Sequence, residues 1–201
     1  MAVGVLGGVF DPPHLGHTAL ARAALEQLDL DRLLVLVVAD PGHKRATTPP
    51  ETRLELARLA FAGDPRIEVE LDPHERTVDA LEARDLDEPV FVVGADEFAD
   101  LSTWKRPDRV LELARFAVAT RPGVPDERVR EAHARLPTPD RVSFFEFPPV
   151  LVSSTLVRER AARGEPIDDL VSPKVAEAVR RLGLYAVPEY TDRRGERTQT
   201  D

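Results

Sequence analysis

The chain has 201 residues, 42% of them apolar, enough for one substantial α/β domain or two small ones and too many for a disordered or fibrous chain. It contains no cysteine, which excludes a disulfide framework, a thiolate metal site and a cysteine nucleophile. With 27 Lys and Arg against 36 Asp and Glu, the net charge is −9. Broad binding to nucleic acid or to an anionic membrane is therefore not expected, and any phosphate must be met locally by a few cations and backbone donors.

Taken in order, short β-branched runs alternate with segments of helical period. A strand at 3–6 leads through a glycine pair into a helix at 14–28, with Leu20, Ala24 and Leu28 on one stripe. A strand at 33–39 and an exposed loop at 42–50 (GHKRATTPP) precede a helix at 51–62, striped by Leu54, Ala57 and Phe61. There follow a strand at 67–71, a helix at 77–84, a strand at 90–93, a helix at 107–114 and a strand at 116–119. A helix at 125–136, a strand at 142–147 and helices at 154–163 and 173–182 complete the pattern.

Several strands are apolar at consecutive positions, as in a parallel sheet covered on both faces. The alternation predicts an α/β fold, a doubly wound, Rossmann-like parallel sheet, in a single domain over residues 1–187. Ligands of such sheets bind beyond the carboxyl ends of the strands, near the switch point. Residues 188–201 are polar and unpatterned and are expected to form a flexible tail. The start of the chain lacks the basic, apolar make-up of a signal peptide, and the longest apolar run, at 33–39, is too short to span a bilayer. The expected location is the cytoplasm.

The chemistry concentrates after the first strand, in Gly7-Gly8-Val9-Phe10-Asp11-Pro12-Pro13-His14-Leu15-Gly16-His17. Adjacent glycines let the backbone turn tightly and bring N–H groups against a ligand. The following helix offers its positive end to an anion. His14 and His17, three apart, can face one way from the first turn, and Gly16 removes a side chain that would obstruct them. This suits stabilisation of charge on phosphate oxygens. A Walker loop and the G-x-G-x-x-G fingerprint are both missing. Two plainer readings stay open: a histidine metal pair with Asp11 as the nearby third ligand, and a structural loop whose histidines cap backbone groups.

Further along, Ser153-Ser154-Thr155 precedes a helix and would cap it, while Arg158 sits one turn in and can return to the same helix start. Together they read as a second phosphate cradle. Asp96, after Gly94 at the end of a strand, suits either helix capping or ribose hydroxyls. Trp104, the single tryptophan, has the polar neighbours Ser102, Thr103, Lys105 and Arg106, so a core role and a ligand platform are both open. Lys44 in the 42–50 loop is either a point charge for phosphate or simply solvated. His74 and His133 receive no role.

The segment from Gly7 to His17 resembles the signature of nucleotidyltransferases that carry a His-x-Gly-His motif. Pro41-Gly42-His43-Lys44, Gly94-Ala95-Asp96, Leu101-Ser102-Thr103-Trp104, Arg121-Pro122-Gly123 and Ser153-Ser154-Thr155-Leu156-Val157-Arg158 follow in the order seen in bacterial nicotinate-nucleotide adenylyltransferases. That resemblance implies transfer of AMP from ATP to nicotinate mononucleotide, giving deamido-NAD and pyrophosphate in NAD biosynthesis. It implies catalytic roles for His14, His17 and Arg158, and ATP contacts from Gly7, Gly8, Phe10, Gly94, Asp96, Ser154, Thr155 and Lys44. Thr77, Trp104 and Lys105 would meet the acceptor, with Trp104 stacked on the pyridine ring. Magnesium is expected to arrive with ATP, with no metal ligands from the protein. Self-association is left open.

The chain departs from the family pattern at Arg76 and Ala80, where an aromatic and a threonine are usual, and at Pro13, Thr18 and Lys105. These touch the pyridine pocket more than the phosphate site. The same transfer to nicotinamide mononucleotide or another phosphate acceptor is therefore the neighbouring reading, and a nucleotide-binding regulatory module without catalysis is the reading from another class.

Overall fold

The computed structural model describes residues 1–42, 46–120, 126–148 and 150–186. Six strands form one sheet: β1 (Val3–Gly8), β2 (Arg32–Val38), β3 (Ile67–Asp72), β4 (Val90–Gly94), β5 (Arg115–Thr120) and β6 (Val142–Glu146). Their spatial order is β3-β2-β1-β4-β5-β6, and every pairing is parallel. The order reverses between β1 and β4, where Val5 lies opposite Phe91. A crevice for ligands is therefore expected beyond Gly8 and Gly94.

The helices are α1 (Leu15–Gln27), α2 (Pro50–Phe61), α3 (Thr77–Glu82), α4 (Ala95–Ala99), α5 (Pro107–Leu113), α6 (Glu127–Ala134), α7 (Ser154–Ala162) and α8 (Pro173–Arg181). Three start with proline, where the missing N–H costs nothing. The sequence pattern does not anticipate α4: five residues are too short for a periodic stripe.

On one face of the sheet Val5, Leu36, Phe91, Val93 and Phe116 pack under Val78, Phe98 and Val110 from α3, α4 and α5. On the other, Leu6, Val35, Val37 and Ala117 meet Ala21, Ala24 and Leu25 of α1 with Ala57 and Phe61 of α2. A third cluster joins Leu56 of α2 to Val157, Val175 and Val179 of α7 and α8. Because β2 is covered on both sides, Leu33 through Val37 are all buried.

Both expected helical stripes face the core, and the packing adds to each. In α1 the fully buried residues are Ala21, Ala24 and Leu25; Leu20 and Leu28 sit at the margin, since small side chains are what bring this helix close to the sheet. In α2 the stripe of Leu54, Ala57 and Phe61 is present; α7 and α8 also cover Leu56, and Arg53 is buried against the carbonyls of Val9, Val38 and Ala39. The helix expected at 125–136 begins after Asp126, whose carboxylate accepts from Val129 N–H. The expected tail at 188–201, like Lys44 and the Arg121-Pro122-Gly123 segment, lies outside the described residues.

Candidate active site

The loop from β1 into α1 is shaped by its own side chains. Phe10 adopts φ +51, and its ring is buried against Phe61 and His17 with edge-on centroid distances of 5.9 and 4.9 Å. A β-carbon at Gly8 would lie 2.8 Å from that ring, so Gly8 makes room for Phe10. A β-carbon at Gly7 would meet only Phe91, at 3.8 Å, so nothing in the protein demands glycine there. Gly7 instead opens onto a cleft. Of the residues expected near ATP, Phe10 therefore offers only its backbone.

His14 occupies the N-cap of α1 and His17 its third position. The His14 backbone N–H donates to His17 Nδ1 at 3.1 Å, and the two rings stack at 3.6 Å with 20° between their planes. A β-carbon on Gly16 would be 3.0 Å from the His14 ring and 3.3 Å from Val152, so Gly16 admits both the ring and the chain leading into α7. Because His17 Nδ1 accepts, its neutral ring carries the proton on Nε2 and presents a donor there. Burial lowers His14 to about 4, and burial with a neighbouring His14 charge pushes His17 well below 6.5. At neutral pH the free protein holds two uncharged imidazoles side by side.

The start of α7 is stitched onto this loop from more than 140 residues away. Ser154 Oγ donates to the Pro12 carbonyl at 2.8 Å, and Arg158 donates to the Asp11 carbonyl at 2.7 Å and to Thr155 Oγ1 at 3.2 Å. Capping falls to Ser153, whose hydroxyl accepts from Leu156 N–H, leaving Ser154 and Thr155 at the open end of the helix. The structure thus brings His14, His17, Ser154, Thr155 and Arg158 to one loop.

Two buried charges hold the loop, and sequence reasoning gave neither this role. Asp11 is 3% exposed; its carboxylate accepts from Thr47 N–H at 2.6 Å, Thr47 Oγ1 at 2.8 Å, Thr48 N–H at 3.3 Å and Tyr185 Oη at 2.8 Å. Burial alone would raise this carboxyl, yet the hydrogen bonds from Thr48, Thr47 and Tyr185 together hold it below the usual range. Arg53, 1% exposed, donates to the carbonyls of Thr48, Val9, Val38 and Ala39 at 2.8–3.0 Å, tying the ends of β1 and β2 together. The one available signal was Asp11 within the histidine motif; Arg53 reads as an ordinary polar position of α2.

These engagements take Asp11 and His17 Nδ1 out of the metal pair that the motif left open. Asp11 is saturated by donors, and His17 Nδ1 is taken by a backbone N–H. Among the described residues no cluster of three His, Asp or Glu is arranged as a cage.

Across the crevice, Thr77 opens α3 and lines the cleft with Gly7, Leu36, His74, Arg76 and Phe91. His74, given no role from sequence, has Nδ1 at 2.8 Å from the buried Asp72 carboxylate. Trp104 is half-buried, its ring edge-on to Phe91 at 6.0 Å and 6.2 Å from Phe116, so one part is core and the rest reaches the surface. Lys105 Nζ grips both oxygens of Asp79 at 3.0 and 2.9 Å, and Arg106 and Arg109 hold Glu82. Four ion pairs therefore join the helix of Thr77 to the segment of Trp104. At the end of β4, Gly94 stands at the N-cap of α4; Asp96 lies in the first turn with its carboxylate exposed, which corrects the capping expectation.

Comparison with known proteins agrees with this architecture. The cytidylyltransferase-like family model matches residues 5–160. A probable nicotinate-nucleotide adenylyltransferase of Thermus thermophilus is 42% identical, over 92% of this chain and the whole of that protein. One from Rubrobacter xylanophilus is 36% identical over 92% of each chain. The structure of Plasmodium falciparum nicotinic acid mononucleotide adenylyltransferase complexed with NaAD superposes with a TM-score of 0.71 over 92% of this chain and 97% of that one, at 18% identity, a likeness of fold. With the His-x-Gly-His loop, the 3-2-1-4-5-6 sheet and these relatives in hand, the chain belongs to the nicotinate-nucleotide adenylyltransferases, within the cytidylyltransferase-like family.

Proposed function

We propose that the protein transfers AMP from ATP to the 5′-phosphate of nicotinate mononucleotide, forming deamido-NAD and releasing pyrophosphate. One observation carries this reading: Arg158 and Ser154 of α7 are hydrogen-bonded to the loop that presents His14 and His17, which ties the start of α7 to the start of α1. An α-phosphorus held there can be attacked in line by the acceptor phosphate, whose oxygen forms the new P–O bond as the bond to pyrophosphate breaks. A phosphate monoester dianion needs no general base. The work is alignment and neutralisation of developing charge on phosphate oxygens.

In this reading His17 donates through Nε2, His14 through its own ring, and Arg158 supplies the fixed positive charge. Ser154 and Thr155 add hydroxyls at the start of α7. Gly7 and Gly8 allow close backbone approach, and Gly94 and Asp96 meet the adenosine ribose. Magnesium enters with ATP, its remaining ligands being water and phosphate. Thr77 and the exposed face of Trp104 receive the acceptor, with Lys105 bracing that side through Asp79. The acting unit is residues 1–187. Among the described residues no helix is long and apolar enough to cross a membrane; a cytoplasmic location suits the acidic composition and this substrate pair.

The test is a panel of acceptors with ATP and magnesium, reading pyrophosphate and the dinucleotide by mass. Nicotinate mononucleotide should give the highest kcat/KM. A preference for nicotinamide mononucleotide or pantetheine phosphate would reassign the acceptor. Saturable ATP binding without pyrophosphate would make the protein a nucleotide-binding module.

A further inference from the structure

The turn after α8 places Tyr185 at φ +66, in the left-handed region that a side chain adopts only when its surroundings enforce it. Its hydroxyl donates to Asp11 Oδ1 at 2.8 Å and accepts from Thr48 Oγ1 at 3.2 Å. Asp11 Oδ2 is filled by the N–H and hydroxyl of Thr47 and the N–H of Thr48, and the Asp11 carbonyl by Arg158. One buried residue thus joins four segments: the β1–α1 loop, the β2–α2 loop, α7 and the turn after α8. Packing alone gives no reason for a charge there, since taking a carboxylate out of water is costly unless each lone pair is met. What the arrangement does supply is a fixed backbone three residues before His14.

We propose that Tyr185 is a positioning residue for adenylyl transfer: acting through Asp11, its hydroxyl sets the loop that presents His14 and His17. The inference rests on the reaction proposed above. Tyr185 touches no reacting atom in it. Without the hydroxyl, Oδ1 of Asp11 loses its donor, the carboxylate turns toward another partner, and the loop and its stacked rings shift with it. Reactions that depend on alignment respond steeply to displacements of this size.

Tyr185→Phe removes only the hydroxyl. Turnover should fall roughly ten-fold or more, with KM for ATP and acceptor held within about two-fold, because the loss is one of alignment. Placed on Asp11→Asn, the same change should cost less than about two-fold, since the two residues act as one unit. If Asp11→Asn does not fold, Thr47→Val replaces it, removing one hydroxyl donor to the same carboxylate. A second readout needs no substrate: in ring nitrogen NMR spectra, Tyr185→Phe should shift the His14 and His17 signals and leave His133 in place. Wild-type turnover in Tyr185→Phe, losses that multiply in the double variant, or unmoved His14 and His17 signals would each overturn the proposal. A wild-type protein that makes no dinucleotide counts against the reaction, and the ring spectra then decide on Tyr185 alone.

Discussion

Replacing His14 by Gln removes an imidazole that burial pushes down to a pKa of about 4 and that stacks at 3.6 Å on the ring of His17. In the unfolded chain the same imidazole titrates near 6.5. Between those values the unfolded state binds a proton that the folded state refuses, so unfolding free energy rises with pH across the window. Above pH 6.5 the group contributes no pH dependence; as the pH falls toward 4 the fold loses stability. A gap of about 2.5 units at 1.36 kcal/mol each is roughly 3 kcal/mol, and the partial exposure of His14 reduces this to about 2 kcal/mol. Urea unfolding of wild type and His14→Gln at about pH 7 and about pH 4.5 measures it, because carboxylates contribute equally to both proteins. Acidification should cost the wild type about 2 kcal/mol more than the variant. Equal losses would refute the claim that this imidazole is held neutral.

Three further outcomes follow from the same geometry. His17→Ala should lower turnover at least ~100-fold, the scale of one lost transition-state donor, with smaller changes in substrate affinity; steady-state kinetics with normal turnover would remove His17 from the chemistry. Arg53→Met should lower the unfolding free energy by about 3–5 kcal/mol, because four carbonyls around a buried guanidinium lose a charged donor; a loss under about 1 kcal/mol in urea titration would show that the guanidinium is not a brace. Trp104 is the single tryptophan, so its fluorescence should respond to nicotinate mononucleotide without ATP, and an unchanged spectrum at calorimetric saturation would displace it from the pocket.

The strands and most helices were legible because each carries its own local pattern. Consecutive apolar residues mark β2 and β5, and prolines mark the starts of α2, α5 and α8. The histidine loop was legible for a similar reason, since its glycines, its spacing and the helix behind it lie within eleven residues. Local pattern stops there. Nothing near Tyr185 announces that it meets a carboxylate 174 residues earlier, and Arg53 looks like a solvent-facing position until the fold brings the carbonyls of Val9, Val38 and Ala39 to it. The division of labour at α7, with Ser153 as cap and Ser154 bonded to Pro12, likewise needs the loop in place before it can be seen. The acceptor side was legible in part. Thr77 and Trp104 were found, but the ion pairs of Asp79 and Glu82 that hold them together depend on α3 folding against α5 and the segment before it.

The most direct test is a crystal structure with an ATP analogue that cannot release pyrophosphate. One polyphosphate should lie within hydrogen-bonding reach of the imidazoles of His14 and His17, the guanidinium of Arg158 and the hydroxyls opening α7. Phosphates bound elsewhere, or touching the histidines while Arg158 stays on Asp11 alone, would contradict the account.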